Sequence, residues 1–204
     1  DLKVIFCNKG FWLITLLCLM FYSGVFPFLK FATNLMIIKY GVNPDLAGAI
    51  PGILPFGTIF LTPFFGGIYD KKGKGATMLI AGSILMITCH LIFALVPLTN
   101  PIAYIAIILL GISFSLVPAA LWPSVPKLVE ERYLGSAYSV IFWIQNIGLM
   151  AFPIIIGWSL DKTGGYTVPM LIFSSLGALA FVLGLWLKIE AKKKGYGLEL
   201  PNIK

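Results

Sequence analysis

Four residues that could bind a ligand recur at four-residue spacing near the start of the chain. Tyr22, Phe26, Lys30 and Asn34 would share one face of an α-helix, because side chains four residues apart are neighbours on a helix surface. Pro27 lies beside this stripe and can bend the helix. The Lys30 ammonium could hold a ligand carboxylate. A second interpretation stays open, in which the long Lys30 stem carries its charge out of an apolar layer to water.

Two later segments carry similar groups. Gln145 and Asn146 lie two helical turns after Tyr138, and Trp122 is followed by Pro123. The two amides could hydrogen-bond a ligand or join neighbouring helices. Trp122 could form a cavity floor or a gate, or it could anchor a helix at a membrane surface.

Groups suited to catalysis or metal binding are sparse. His90 is the only histidine, and its place in an apolar run favours packing over a proton relay. Cys7, Cys18 and Cys89 are scattered and are typical of small apolar residues. All eight acidic residues lie at the termini or in predicted loops. The sequence therefore predicts no enzyme, no metal site and no cofactor.

These residues must be positioned by elements suited to a lipid environment. The chain is 59% hydrophobic and 11% charged, and a soluble domain of 204 residues cannot bury that much apolar surface. Backbone groups in lipid must be satisfied within their own segment, which favours helices. The uncharged run from 75 to 126 is too long for one span, and Pro-Leu-Thr-Asn-Pro at 97–101 divides it. We predict an all-α integral membrane protein with six spans, at about residues 10–38, 45–69, 75–96, 101–127, 134–160 and 166–188.

The charge distribution predicts the topology. The spans form a transmembrane domain at 10–189, between a cytoplasmic linker (1–9) and a basic cytoplasmic tail (190–204). Of the fifteen basic residues, twelve lie on the side of both termini and two on the other, so both termini are expected to be cytoplasmic. The net charge of +7 then reflects topology, and no nucleic-acid partner is expected. With Asp1 first and no signal-peptide cleavage site, we expect a processed chain or a fragment.

A short motif occurs twice. Residues 66–73 and residues 157–164 both have the pattern G-x-x-x-D-K-x-G, three predicted spans apart. An odd number of spans puts the two copies on opposite sides, as in the inverted three-plus-three repeats of secondary transporters. Each copy also suits an ordinary helix end, where the first glycine lets helices approach closely and the last allows a tight reversal.

The first copy lies in a longer stretch that resembles a known signature. GGIYDKKGKG, residues 66–75, resembles the loop between the second and third helices of each half of the major facilitator superfamily. The matching residues are Gly66, Asp70, Lys71, Gly73 and Lys74, and Gly75 replaces a usual basic residue. Three further segments are similar to helices seven, ten and eleven of the branch called major facilitator superfamily domain-containing protein 1, whose animal members are lysosomal dipeptide transporters: FYSGVFPF (21–28), ALWPSVPKLV (120–129) and LGSAYSVIFWIQNIGL (134–149).

This resemblance implies that the chain is the C-terminal six-helix half of a carrier. Its implied partners are the missing N-terminal half, membrane lipid and a small-molecule substrate. The first and fourth helices are expected to line a cavity, while the third and sixth face lipid. Asp70 is expected to gate by contacting a helix N-terminus of the other half, and Lys71 and Lys74 to pair with Glu130 or Glu131.

The resemblance predicts an alternating-access transporter of a small solute, dipeptide-like or another zwitterion. Facilitated diffusion is favoured because no acidic residue lies inside a predicted span. One alternative is a scaffold or receptor that keeps the fold, and another is a proton-coupled symporter of a different organic anion or metabolite. The expected location is the inner membrane of a bacterium or the lysosomal membrane of an animal.

Overall fold

Six long helices form the fold. The computed structural model describes residues 2–96 and 100–203, apart from the side chains of residues 2, 50, 51, 53, 55, 56 and 100. The long helices are α2 (Lys9–Tyr40), α4 (Ile50–Lys72), α5 (Gly75–Leu95), α6 (Asn100–Leu128), α7 (Leu134–Thr163) and α8 (Thr167–Lys194). The described part also has two short helices, α1 (Leu2–Phe6) and α3 (Pro44–Ala47), and a 3-10 turn at Glu131–Tyr133.

The long helices have the dimensions of membrane spans. Within the described residues, α2, α5, α6, α7 and α8 are long and apolar enough to cross a membrane. The remaining long helix, α4, has 23 residues. At 1.5 Å per residue it reaches about 34 Å, more than the ~30 Å of a hydrocarbon layer. The predicted all-α integral membrane fold is confirmed.

The helix ends depart from the predicted spans in places. The second span was expected from residue 45, but α3 and a turn come first, because Asn43 caps a short helix that begins at Pro44. The expected tail from residue 190 is helical as far as Lys194, since α8 continues beyond its apolar stretch. The predicted break at 97–101 lies mainly outside the described residues, between the end of α5 and the start of α6.

The core lies where α2, α5 and α8 meet. α2 packs along α7 and α8, α5 along α6 and α8, and α4 along α6. The rings of Phe28 and Phe173 lie 5.1 and 5.2 Å from the buried His90 ring, whose Nε2 is 3.0 Å from the carbonyl oxygen of Gly24. These contacts make His90 a core residue that joins α5 to α2, as the packing interpretation predicts.

Several buried hydroxyl groups are satisfied within their own helix, whereas Ser23 Oγ and His90 Nδ1 are buried without a partner among the described residues. The buried hydroxyls of Thr15 and Ser83 donate to carbonyl oxygens one turn earlier, at 2.7 and 2.9 Å. Such bonds avoid the cost of an unpaired polar group in an apolar interior. Gly82 contributes in another way, because a side chain there would collide with Val117, so the glycine lets α5 and α6 approach closely.

The two ends of the bundle are defined by contacts between helix termini. At one end, Asn8 at the start of α2 donates to the carbonyl of Leu128 at the end of α6 (2.6 Å). At the other end, Lys39 near the end of α2 donates to the carbonyl of Ala94 near the end of α5 (3.1 Å). α5 therefore runs in the same direction as α2, and α6 runs in the opposite direction.

The two motif copies lie at opposite ends. Asp70, in the last turns of α4, lies at the same end as Asn8. The segment after α8 contacts both residues, Asp70 through Asn202 and Asn8 through Tyr196. Asp161, in the last turns of α7, shares a recess with Asn34, which is near the end of α2. This arrangement is the one that an inverted repeat of three helices requires.

Candidate functional site

A cluster of aromatic side chains joins α2, α6 and α7. We call it the aromatic cluster, and its members are Tyr22, Phe26, Phe114, Trp122, Tyr138 and Phe142. Ring centroids of neighbouring members lie between 4.9 Å, for Trp122 and Phe142, and 6.1 Å, for Tyr22 and Trp122. The structure thus brings together four of the predicted site residues.

Two hydrogen bonds fix this cluster across helices. The Trp122 indole N–H donates to the Tyr22 hydroxyl oxygen at 3.1 Å, and the Tyr138 hydroxyl donates to the Trp122 carbonyl at 3.2 Å. Buried tyrosine and tryptophan usually need such partners for their polar ends. Trp122 is therefore tied to α2 and to α7, which gives it an interhelical role in place of a free surface anchor.

The predicted stripe on α2 passes from buried to exposed. Tyr22 is buried, Phe26 is 39% exposed, and Lys30 and Asn34 are exposed. Lys30 has no hydrogen bond or ion pair with any described residue. Asn34 lines a recess of about 330 Å³ with Asp161 and other residues at that end. The stripe therefore leads from the aromatic cluster to an exposed face of the bundle.

The two neighbouring amides of α7 have different surroundings. Gln145 is 6% exposed, and its Oε1 accepts a hydrogen bond from the Cys18 thiol, with Sγ at 3.3 Å. Gln145 therefore joins α7 to α2 and does not face open space. Adjacent residues of a helix point about 100° apart, so Gln145 and Asn146 face different surroundings. Asn146 is exposed, and its Nδ2 donates to the Phe142 carbonyl at 2.8 Å.

Two members of the cluster, Phe142 and Phe114, were not among the predicted site residues. Phe114 packs edge-on against Phe26, with ring centroids 5.2 Å apart. Phe114 lies two helical turns before Trp122, with Pro118 between them at four-residue spacing. This four-residue repeat was the available signal, but in a segment rich in apolar residues it does not separate a site from ordinary packing.

The first motif copy forms a sharp turn between α4 and α5. Gly73 has φ of 70° and Lys74 has φ of 63°, so two consecutive residues adopt a positive φ. Gly164, which ends the second copy, has φ of 63°. The predicted tight reversals are therefore present, and glycine adopts this backbone region at little cost. Asp70 precedes the first turn and is half-buried.

Two expectations for this motif are not met. Side chains built at Gly66 and Gly157 would meet no described atom within 4 Å, so neither glycine serves close helix packing within the described residues. Neither Lys71 nor Lys74 forms an ion pair within the described residues. Glu130 instead pairs with Arg132, with Oε2 and Nε 2.8 Å apart, because the 3-10 turn brings these two residues together.

Comparisons with known proteins agree with this architecture. A family model described as Major Facilitator Superfamily matches residues 1–153. The lysosomal dipeptide transporter MFSD1 of Bos taurus is 36% identical over 174 residues, which are 84% of this chain and 36% of that protein. The Danio rerio protein of the same name is 34% identical over 192 residues, 94% of this chain and 41% of that protein. The chain thus spans about two fifths of the length of these relatives.

A solved structure shows the same helical arrangement. A crystal structure of the peptide transporter POT in complex with sulfate superposes with a TM-score of 0.81 over 96% of this chain and 40% of that one. At 16% identity this likeness concerns the fold alone. The paired helix triplets, the signature turn after α4 and the family match together lead to one conclusion: the chain belongs to the major facilitator superfamily.

Proposed function

We propose that this chain is one six-helix half of an alternating-access carrier for dipeptides or similar small zwitterions. The observation that carries the proposal is the stripe on α2, where Lys30, exposed and without a partner among the described residues, follows a fixed aromatic cluster. An ammonium group that would otherwise face an apolar layer is costly and typically functional. Relatives named as lysosomal dipeptide transporters support the substrate class.

The residues of the proposed binding surface have separate roles. Phe26 and Phe142 would pack against apolar parts of the substrate, since these two residues are 39% and 47% exposed. Lys30 would pair with the substrate carboxylate, and the free oxygen of Asn146 would accept a hydrogen bond from its amine. Tyr22, Trp122 and Tyr138 would hold these rings in place by their hydrogen bonds to one another.

The proposed gate is the turn after α4. One oxygen of Asp70, Oδ1, accepts a hydrogen bond from Asn202, while Oδ2 has no partner among the described residues. A carboxylate oxygen left free at the end of the bundle suits contact with a helix N-terminus of the missing half. Both termini of this chain would then be cytoplasmic.

Transport by the full-length protein in proteoliposomes tests the function. We expect saturable uptake of a labelled dipeptide without a proton gradient, and a raised melting temperature when the unlabelled dipeptide is added, because a ligand of the native state stabilises it. Uptake that depends on an imposed pH gradient would favour the proton-coupled alternative. If no dipeptide is taken up and none raises the melting temperature, the scaffold alternative is favoured.

The gate is tested by a matched pair of substitutions. Asp70→Asn is expected to slow transport about tenfold and to leave substrate affinity unchanged, because the charge acts between the halves and not on the substrate. Asp161→Asn, the same change in the second motif copy, is expected to leave the rate within about twofold. Equal rates for Asp70→Asn and the unmodified protein in vesicles would contradict the gating role.

A further inference from the structure

The segment after α8 folds back over the end of the bundle that contains Asp70. We call residues 195–203 the strap. Leu198 of the strap is 1% exposed and belongs to the hydrophobic core. The sequence predicted a basic cytoplasmic tail at 190–204 and no docking of it, so this packing is a finding of the structure. Its hydrogen bonds fall on the same turn that carries the signature motif.

The strap caps the first turn of α5. The backbone N–H of Lys74 donates to the carbonyl of Glu199 (3.1 Å), and that of Gly75 to the carbonyl of Leu198 (2.9 Å). The Glu199 carboxylate accepts from the N–H of Thr77 (3.0 Å) and from its hydroxyl (2.7 Å). Helix N-termini leave such donors unpaired, and the position before this helix, Lys74, provides no side-chain cap. The negative charge of Glu199 also interacts favourably with the dipole of α5, because the N-terminus of a helix is partially positive.

The strap also holds Asp70 directly. The Asn202 side-chain amide donates to Oδ1 of Asp70 at 2.8 Å. The backbone N–H groups of Asn202 and Ile203 both donate to the Asp70 carbonyl at 3.0 Å. Both the backbone and one carboxylate oxygen of Asp70 are thereby fixed, and Oδ2 is the oxygen that stays free within the described residues.

Other strap contacts reach three more helices. Lys127 of α6 donates to the carbonyl of Leu200 at 2.8 Å, and Lys188 of α8 lies 3.7 Å from the Glu199 carboxylate. Tyr196 donates to Oδ1 of Asn8, the residue that caps α2, at 3.3 Å. Partial burial and the Glu190 charge raise the pKa of the Tyr196 hydroxyl, which keeps it protonated as a donor. The strap thus joins the ends of α2, α4, α5, α6 and α8.

Gly73 shows how closely the strap is packed on the turn. A side chain at this position would collide with the backbone of Glu199 and Leu200. Glycine is therefore required at residue 73 for two reasons, the positive φ of the turn and the space that the strap occupies. Gly73 of the signature therefore serves the turn and also makes room for a segment more than 120 residues later in the chain.

We propose that Asn202 and Glu199 are positioning residues for the Asp70 gate. Glu199 fixes the start of α5, and Asn202 holds the Asp70 carboxylate with Oδ2 open toward the other half. This inference rests on the gating role proposed above. The opposite role, in which the strap competes with the other half for Asp70, is disfavoured because Asn202 occupies only one carboxylate oxygen.

Transport by the full-length protein separates these roles. Asn202→Ala removes the amide donor and is expected to lower the maximal rate about threefold to tenfold, with an unchanged KM, while Lys193→Ala on the exposed end of α8 is expected to change neither. In an Asp70→Ala background, Asn202→Ala should cause no further loss, because it acts through Asp70. A faster rate for Asn202→Ala, or an equal loss in both backgrounds, would overturn the positioning role.

Hydrogen exchange provides a readout independent of transport. Amides of residues 74–77 in the full-length protein are expected to exchange slowly, and at least tenfold faster in Glu199→Gln, which removes the charge that caps α5. Fast exchange in the unmodified protein would show an undocked strap and would overturn the inference. If Asp70→Asn transports at the unmodified rate while exchange at 74–77 is slow, the gating and positioning roles are wrong but the docked strap stands.

Discussion

The hydrogen bond between Trp122 and Tyr22 is the residue-scale contact on which the binding surface depends. It joins α6 to α2 inside the aromatic cluster at 3.1 Å. We expect the Trp122→Phe and Tyr22→Phe substitutions to be non-additive, since each removes the same bond, with an interaction energy of about 0.5–1.5 kcal/mol. Unfolding of the full-length protein in detergent measures this energy in a double-mutant cycle. Strictly additive losses would show that the bond is not formed.

A substitution at Lys30 distinguishes substrate binding from snorkelling. Lys30→Met removes the ammonium, and we expect the Kd of a dipeptide to rise at least tenfold, because a charged hydrogen bond contributes about 1.5–3 kcal/mol and 1.4 kcal/mol is tenfold. The matching dipeptide with an amidated C-terminus should bind both proteins with similar affinity. Calorimetry on the full-length protein measures both ligands. An unchanged Kd for the free dipeptide would favour snorkelling.

Individual side chains were predictable where spacing alone decides their neighbours. The stripe of Tyr22, Phe26, Lys30 and Asn34 follows from helical geometry, and exposure increases along it as an open surface requires. Gln145 was proposed as a ligand residue but is buried against Cys18. Which of two adjacent amides faces the open side depends on helix rotation, and rotation is set by neighbouring helices that the local sequence does not specify.

Close packing between α5 and α6 is the element-scale feature most open to test. Gly82→Ala would place a methyl group against Val117, a β-branched residue with little rotamer freedom in a helix. We expect a loss of about 1–3 kcal/mol in the free energy of unfolding from overpacking. Gly157→Ala is the control, because a side chain there meets nothing within 4 Å. Equal melting temperatures for the two variants would contradict this packing.

Elements set by local composition were predictable, and those set by distant contacts were not. Uncharged runs locate the six long helices to within a few residues at most ends, because transfer into lipid depends on the residues of each segment. The strap was missed for the opposite reason. No local pattern in residues 195–203 specifies where they dock, because the docking depends on Asp70 and Thr77, which lie more than 120 residues earlier.

At the scale of the whole molecule, the chain belongs to one family and spans about two fifths of the length of the relatives it matches. Lys30 and Asn34 of the stripe are exposed, and Oδ2 of Asp70 has no hydrogen-bond partner among the described residues. In a carrier with two halves, the other half would cover the gate in one state and uncover it in another. The family could be predicted from the signature turn, because its glycines and Asp70 recur at fixed spacing, while no spacing in this sequence specifies a substrate or a coupling ion.

Sidedness of the two motif copies tests the central claim most directly. In the full-length protein, made free of other cysteines, Lys72→Cys and Lys162→Cys place one exposed thiol beside each copy. A membrane-impermeant maleimide applied to sealed vesicles of known orientation is expected to label position 72 only from the cytoplasmic side and position 162 only from the opposite side. Labelling of both positions from the same side would contradict the inverted repeat and, with it, the account of this chain as half of an alternating-access carrier.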